Sequence, residues 1–110
     1  MKYNIHDIGG EVVKENDTYT VIDNTDLNGL VLSKTILHPG KSTTGHSHPG
    51  QEEVYHFTGG YGIMEVDANE VAVMPGDIVL IPDGAFHKVQ NTSTFDDLIF
   101  ICTFDGKRSH

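Results

Sequence analysis

A short segment of the chain concentrates side chains that can bind a metal ion. Residues 45–60 read GHSHPGQEEVYHFTGG, in a chain that has seven histidines altogether. The metal-binding side chains of this segment are those of His46, His48, Glu52, Glu53 and His56. Imidazole nitrogens and carboxylate oxygens are common protein ligands of divalent transition metals. The segment is therefore a candidate metal site.

Side-chain alternation indicates which of these residues can meet. Residues two apart in a strand share a face, so we expect His46 and His48 to come from one strand and to point the same way. Glu53 follows them after a Pro-Gly turn, and His87 stands directly after the turn PDGAF at the start of another predicted strand. A carboxylate buried without a partner is costly. These four residues therefore make physical sense together as metal ligands.

The neighbours of Glu53 are interpreted by the same alternation. Tyr55 and Phe57 share its parity, so we expect both to line the interior near the metal, where Tyr55 could donate a hydrogen bond to a bound substrate. Glu52 is interpreted as a solvated carboxylate. His56 has the opposite parity and is expected at the surface or in packing between sheets. No role is assigned to the histidine expected in a turn, His38, or to those expected at the terminal surfaces, His6 and His110.

The elements that must position these residues are short strands. About eight segments rich in β-branched and aromatic residues alternate with turn signals that contain Gly, Pro or Asn. The segments are 18–22, 30–38, 53–58, 62–66, 70–74, 77–81, 87–90 and 98–104. No window of ten or more residues has a 3.6-residue apolar period, so we expect almost no helix. This pattern predicts an antiparallel sandwich or barrel that holds one ligand at its mouth.

Two motifs in the chain resemble those of the cupin family. The family's first motif, G(X)5HXH(X)3-4E(X)6G, is matched from Gly40 to Gly60, and its second, G(X)5PXG(X)2H(X)3N, from Gly76 to Asn91, in both cases at every fixed position. The resemblance implies an all-β, antiparallel double-stranded β-helix, the jelly-roll cupin barrel, as a single domain over residues 1–110. It also implies that one metal ion is bound by His46, His48, Glu53 and His87.

The ligand set limits the metal but leaves the reaction open. Three imidazoles and one carboxylate suit a single divalent ion of Fe, Mn, Ni, Co or Zn, and six-coordination would leave two positions for water or substrate. One alternative is an isomerase or epimerase that acts on a sugar or a sugar-like hydroxy acid, and a similarity to cupin-type sugar-phosphate isomerases favours it. The others are an Fe(II)-dependent dioxygenase and a non-catalytic protein that binds or senses a small ligand.

The charged residues restrict the partners. Seven Lys plus Arg against sixteen Asp plus Glu give a net charge of −9, which disfavours nucleic acids and anionic membrane surfaces. Lys34 and Lys41 are the cations expected near the mouth, whereas Arg108 stands in a tail expected to be frayed. Phosphate sites usually use Arg or Lys, so a neutral sugar or a hydroxy acid is as compatible as a phosphate ester.

The remaining expectations concern the cell compartment and assembly. The N-terminus has no secretory pattern, and the longest aliphatic run, Ile78 to Ile81, is too short to cross a bilayer. Cys102 is the single cysteine and is expected to be buried and inert. These features favour a cytoplasmic protein. The family resemblance implies pairing through an edge strand, and we expect a homodimer.

Overall fold

Nine antiparallel strands form two sheets in the computed structural model, which describes residues 1–106. The strands are β1 Glu11–Glu15, β2 Tyr19–Asn24, β3 Leu30–Leu37, β4 Glu53–Gly59, β5 Gly62–Val66, β6 Asn69–Val73, β7 Ile78–Ile81, β8 His87–Asn91 and β9 Leu98–Asp105. The larger sheet has the order β1-β2-β3-β9-β4-β7, and the smaller sheet has the order β6-β5-β8. No helix occurs within residues 1–106, so the all-β, antiparallel prediction is confirmed.

Along strand β4, successive side chains alternate between the interior of the barrel and its outer face. Glu53, Tyr55 and Phe57 are buried, whereas Val54 is exposed and His56 is half-buried. Glu53 and Tyr55 lie between partners on the two neighbouring strands β7 and β9, whereas Phe57 pairs with β9. The predicted period of two is therefore confirmed along this strand, including the outward direction of His56.

The core consists mainly of aromatic and aliphatic side chains from the inner faces of both sheets. Its completely or almost completely buried members include Leu37, Phe57, Met64, Val89, Leu98 and Phe100. The ring of Phe100 lies 5.3 Å from the ring centroids of both Tyr55 and Phe57. Burying a large apolar side chain stabilises a fold by about 1.5–3 kcal/mol. This cluster therefore holds the larger sheet together next to the residues of the candidate site.

Strand β1 was not predicted from the sequence. Its segment EVVKE is exposed at every position and, within residues 1–106, pairs with β2 alone, at one edge of the larger sheet. An exposed edge strand needs no apolar alternation, so its sequence carries no clear strand signal. The ladder is also irregular: Val12 pairs with Ile22, but Lys14 pairs with Val21, which leaves a β-bulge between them.

The N-terminal segment, residues 1–10, covers part of the outer face of the larger sheet. Ile8 is buried, and its carbonyl oxygen accepts a hydrogen bond of 2.6 Å from Asn24 Nδ2. The Tyr3 hydroxyl donates a hydrogen bond to the Asp26 carboxylate, which raises the pKa of Tyr3. Lys34 Nζ donates to the His6 carbonyl oxygen at 2.8 Å. Lys34 is thereby held on the outer face.

Candidate metal centre

Three histidines from two separate segments converge inside the barrel. One possible ligand atom from each of His46, His48 and His87 lies within 4.8 Å of the others. The ring centroids are 4.4 Å apart for His46 and His48, 4.8 Å for His46 and His87, and 5.8 Å for His48 and His87. His87 is buried and the other two are half-buried. Three residues expected from the sequence to form one site are therefore brought together.

His46 and His48 lie in a loop and not in a strand, so that part of the expectation is wrong. The loop runs beside strand β8 and pairs with it at isolated positions. At one of them, the backbones of His46 and His87 exchange two hydrogen bonds, of 3.0 and 3.2 Å. Thr43 N also donates to Val89 O at 2.9 Å. The loop thus runs antiparallel to β8, which places His46 directly beside His87.

Two contacts explain why the loop has this shape. A Cβ atom at Gly45 would lie 2.1 Å from the Phe86 ring, so a side chain at this position would require that ring to move. On the other side of His48, Asp83 Oδ1 accepts a hydrogen bond of 2.7 Å from Gly50 N. Asp83 therefore ties the turn after His48 to the turn before His87. Sequence reasoning missed this positioning role, although the matched Pro82-Asp83-Gly84 pattern marks the place.

Backbone carbonyl groups orient two of the imidazoles. The Nδ1 atom of His46 lies 2.8 Å from Thr44 O, and that of His87 lies 3.0 Å from Ala85 O. A carbonyl oxygen can only accept, so Nδ1 carries the hydrogen in both rings. Nε2 is then the ring atom available to bind a metal, in the arrangement that is usual for metal-binding histidines.

Glu53 adds a carboxylate to this group from strand β4. Its Oε2 lies 2.8 Å from His87 Nε2, and about 2% of each side chain is exposed. Two ligands bound at right angles, each about 2.1 Å from one ion, are about 3 Å apart. The donor set and this spacing therefore fit a divalent transition metal. His46, His48 and His87 could hold such an ion, whereas Glu53 contacts His87 and is not among the three residues whose ligand atoms converge.

A cavity of about 370 Å³ lies next to the histidines, which is within the usual range for small-molecule sites. Tyr55 lines this cavity, as expected, together with His46 and His48. Phe57 does not line it, because its side chain is completely buried in the core. The other lining residues are Lys14, Tyr19, Val21, Ser33, Thr35, Thr43, Thr44, Phe100 and Cys102.

One cation that lines the cavity was missed by sequence reasoning. Lys14 is among the lining residues, whereas Lys34 and Lys41, the two lysines expected near the mouth, are not. Lys14 lies in the edge strand β1, which was not predicted. No signal in the sequence indicates the bulge that turns the Lys14 side chain toward the cavity. Arg108 and His110 lie outside the described residues.

The remaining residues singled out in the sequence have ordinary surroundings. Glu52 is exposed, as expected, and His6 is exposed near the N-terminus. His38 Nδ1 lies 3.4 Å from Asp97 Oδ1 at the protein surface. Cys102 is buried and free of disulfide bonds, and it forms part of the cavity wall. No helix in the described part of the chain could span a bilayer.

Comparison with known proteins identifies the family. A model of the cupin domain (Cupin_2) matches residues 33–104. The chain is 32% identical over 73 residues to an uncharacterized protein of Methanocaldococcus jannaschii, and 32% identical over 66 residues to an oxalate-binding protein of Thermotoga maritima. These alignments cover 66% and 60% of this chain, and 58% and 54% of the respective relatives. The chain therefore spans little more than half the length of the curated relatives it matches.

A solved structure shares the fold. The crystal structure of a predicted oxalate decarboxylase from Thermotoga maritima superimposes with a TM-score of 0.73 at 23% identity and covers 79% of both chains. This likeness agrees with the two antiparallel sheets and with the double-stranded β-helix expected from the motifs. Both family motifs, at residues 40–60 and 76–91, lie within the matched residues 33–104. The chain thus belongs to the cupin domain family and has the small antiparallel β-barrel fold of that family.

Proposed function

We propose that the protein is a metal-dependent enzyme that binds one divalent transition-metal ion and isomerises or epimerises a small, oxygen-rich molecule, such as a sugar or a hydroxy acid. The metal ligands in this proposal are His46, His48, Glu53 and His87. The observation that carries it is the convergence of three histidines, with one possible ligand atom of each within 4.8 Å of the others, beside a cavity of about 370 Å³.

The chain's own residues supply the other requirements of proton-transfer chemistry. A bound divalent ion would act as a Lewis acid that polarises a carbonyl group. Tyr19 and Lys14 form a polar pair in the cavity wall, where Lys14 Nζ lies 3.5 Å from the Tyr19 hydroxyl. A positioned tyrosine or lysine can carry a proton in general acid and base catalysis. Ser33, Thr35 and Thr43 add hydroxyl groups that can orient substrate oxygens.

The first test is metal content followed by proton exchange. Protein purified untagged and without oxygen should retain near-stoichiometric metal by elemental analysis. In heavy water, NMR should then show metal-dependent exchange of a substrate proton for deuterium within a panel of sugars and hydroxy acids. Absence of exchange across the panel would contradict the proposal. Stoichiometric oxygen uptake with an iron-loaded sample would instead establish the dioxygenase alternative.

A second candidate function is non-catalytic binding of a small acid. It is favoured by the similarity to the Thermotoga maritima relative, which is named an oxalate-binding protein. This candidate predicts saturable binding of a small acid with no product detectable by mass spectrometry. Formation of any product from the bound molecule would exclude it.

A further inference from the structure

The bulge in β1 determines the direction of Lys14. In a regular strand, Val12 and Lys14 would share a face because they are two residues apart. Instead, Val12 pairs with Ile22, which alternates to the outer face, whereas Lys14 pairs with Val21, which lines the cavity. Bulges occur next to active sites, where they redirect a side chain. Here the extra residue puts Lys14 on the inner face and leaves Val12 on the outer one.

Tyr19 holds the redirected ammonium group at the cavity. Lys14 Nζ lies 5.6 Å from the centroid of the Tyr19 ring and 3.5 Å from its hydroxyl oxygen. Both side chains line the same cavity as His46 and His48. The bulge and the aromatic ring therefore place one cation in the wall of the cavity that His46 and His48 also line.

The charge of the cavity differs from that of the protein as a whole. The chain carries sixteen Asp plus Glu and a net charge of −9. Among residues 1–106, the cavity lining nevertheless contains one lysine and no acidic residue. Within residues 1–106, no carboxylate oxygen lies within 4.0 Å of Lys14 Nζ. An ammonium group that lines a cavity without an acidic neighbour there is suited to an anion brought by a ligand.

We propose that the cavity binds a small carboxylic acid whose carboxylate accepts a hydrogen bond from Lys14 Nζ, while the oxygens at its other end face His46 and His48. The placement of ligand oxygens at His46 and His48 rests on the proposed function, whereas the contact of the carboxylate with Lys14 does not. One lysine among hydroxyl groups matches the single charge of a carboxylate. Recognition of a dianionic phosphate more often uses the bidentate fork of arginine, whereas the cation among the described lining residues is Lys14.

Calorimetric titration of the zinc-loaded and the metal-free protein tests the inference. The probes are malate, its neutral diamide and inorganic phosphate, and elemental analysis reports the metal content of every sample. Wild type should bind malate more tightly than either other probe. Lys14→Gln should weaken malate binding about tenfold or more, the order expected from the loss of one charge-assisted hydrogen bond. Lys14→Arg should keep most of the affinity.

Two controls separate a specific contact from general electrostatics. Lys88→Gln removes the same charge from the exposed face of β8 and should leave the affinity unchanged. The double variant Val13→Lys/Lys14→Val keeps the net charge but moves the lysine by one residue, to a position that lines a different groove with Glu11 and Asp23. This variant should lose affinity as Lys14→Gln does.

The outcomes distinguish the two proposals. The inference is overturned if Lys14→Gln or the double variant binds malate as wild type does, if phosphate binds more tightly than malate, or if wild type binds no malate. Lys14-dependent malate binding by a protein that holds no metal would retain the inference and refute the proposed function. A protein that holds stoichiometric metal but binds malate independently of Lys14 would refute the inference and retain the proposed function.

Discussion

The Nε2 atom of His87 lies 2.8 Å from the Oε2 atom of Glu53, with both side chains almost completely buried. His87 Nδ1 already donates its hydrogen to the Ala85 carbonyl oxygen. A ring nitrogen lone pair and a carboxylate oxygen would repel each other at this distance, so the arrangement requires either a proton between the two atoms, carried by the ring or by the carboxyl group, or a metal ion bound by both atoms. This pair is therefore the most direct point at which to test metal binding.

Glu53→Gln should lower the affinity for a divalent metal by about tenfold or more. The substitution keeps the size of the side chain but replaces a charged ligand oxygen by a neutral amide. Competition with a chromophoric chelator measures the affinity. Glu52→Gln is the matched control, because Glu52 is the exposed neighbour in the sequence. Equal affinity of Glu53→Gln and wild type would mean that the carboxylate is not a ligand.

His48→Ala should remove most of the bound metal and leave the barrel folded. His48 stands in a half-buried loop, whereas the core cluster of Phe57, Phe100 and Leu37 is formed by strands. We expect the free energy of unfolding of the metal-free protein to change by less than about 1 kcal/mol. Elemental analysis and thermal unfolding measure the two effects, with His56→Ala as the control on the outer face. Loss of folded protein would show that the metal is structural.

Asn91→Ala should destabilise the fold by about 3 kcal/mol without changing the metal stoichiometry. Asn91 is 1% exposed, and its Nδ2 lies 2.8–3.2 Å from the carbonyl oxygens of Leu37, His38 and Asp96. Its Oδ1 accepts a hydrogen bond from Ser93 N. Truncation leaves several buried polar groups without partners, at a cost of about 1–3 kcal/mol each before relaxation. Denaturant unfolding provides the measurement.

Gln90→Ala is the control for Asn91→Ala, because Gln90 is the exposed preceding residue of the same strand. It should change the stability by no more than about 0.5 kcal/mol. Similar losses in the two variants would contradict the role given to the Asn91 side chain. Loss of metal in Asn91→Ala at full stability would place this residue in the metal site instead.

Gly60→Ala should be more destabilising than Gly76→Ala. Both glycines have a positive φ, 77° and 97°, which costs a residue with a side chain about 1–2 kcal/mol. At Gly60 a Cβ atom would also lie 2.2 Å from the backbone oxygen of Asp97, whereas at Gly76 nothing lies within 4 Å. Chemical denaturation of the two variants measures the difference. Equal losses would show that the chain near Asp97 moves aside at little cost.

The free edge at β7 is where we expect two copies of the chain to pair. Strand β7 ends the larger sheet, and Ile78 and Leu80 are 61% and 67% exposed on the outer face beside Val54. An exposed apolar edge strand can pair with another chain. Light scattering after size exclusion should show a homodimer that Leu80→Lys converts to a monomer. Phe95→Lys, at an 89% exposed loop residue, should remain dimeric; a monomeric wild type would refute the expectation.

Much of the larger architecture was predictable because its determinants are local. Strand β4 alternates between buried and exposed residues every second position, and the turns around Gly60 and Gly76 use glycine where φ is positive. The convergence of His87 with His46 and His48 followed from the motif spacing. Strand β1 was missed because all five of its residues are exposed, so its sequence shows no alternation.

By itself, the sequence determined the all-β class and the inward parity of Glu53, because side-chain alternation and turn chemistry act over a few residues. The resemblance of its two motifs to those of the cupin family implied which three histidines converge. Only the tertiary structure decided that Phe57 belongs to the core while Tyr55 reaches the cavity. It also decided that Lys14, and not Lys34, faces that cavity. Such choices depend on the register between strands, which is set by packing and hydrogen bonds between residues distant in the sequence.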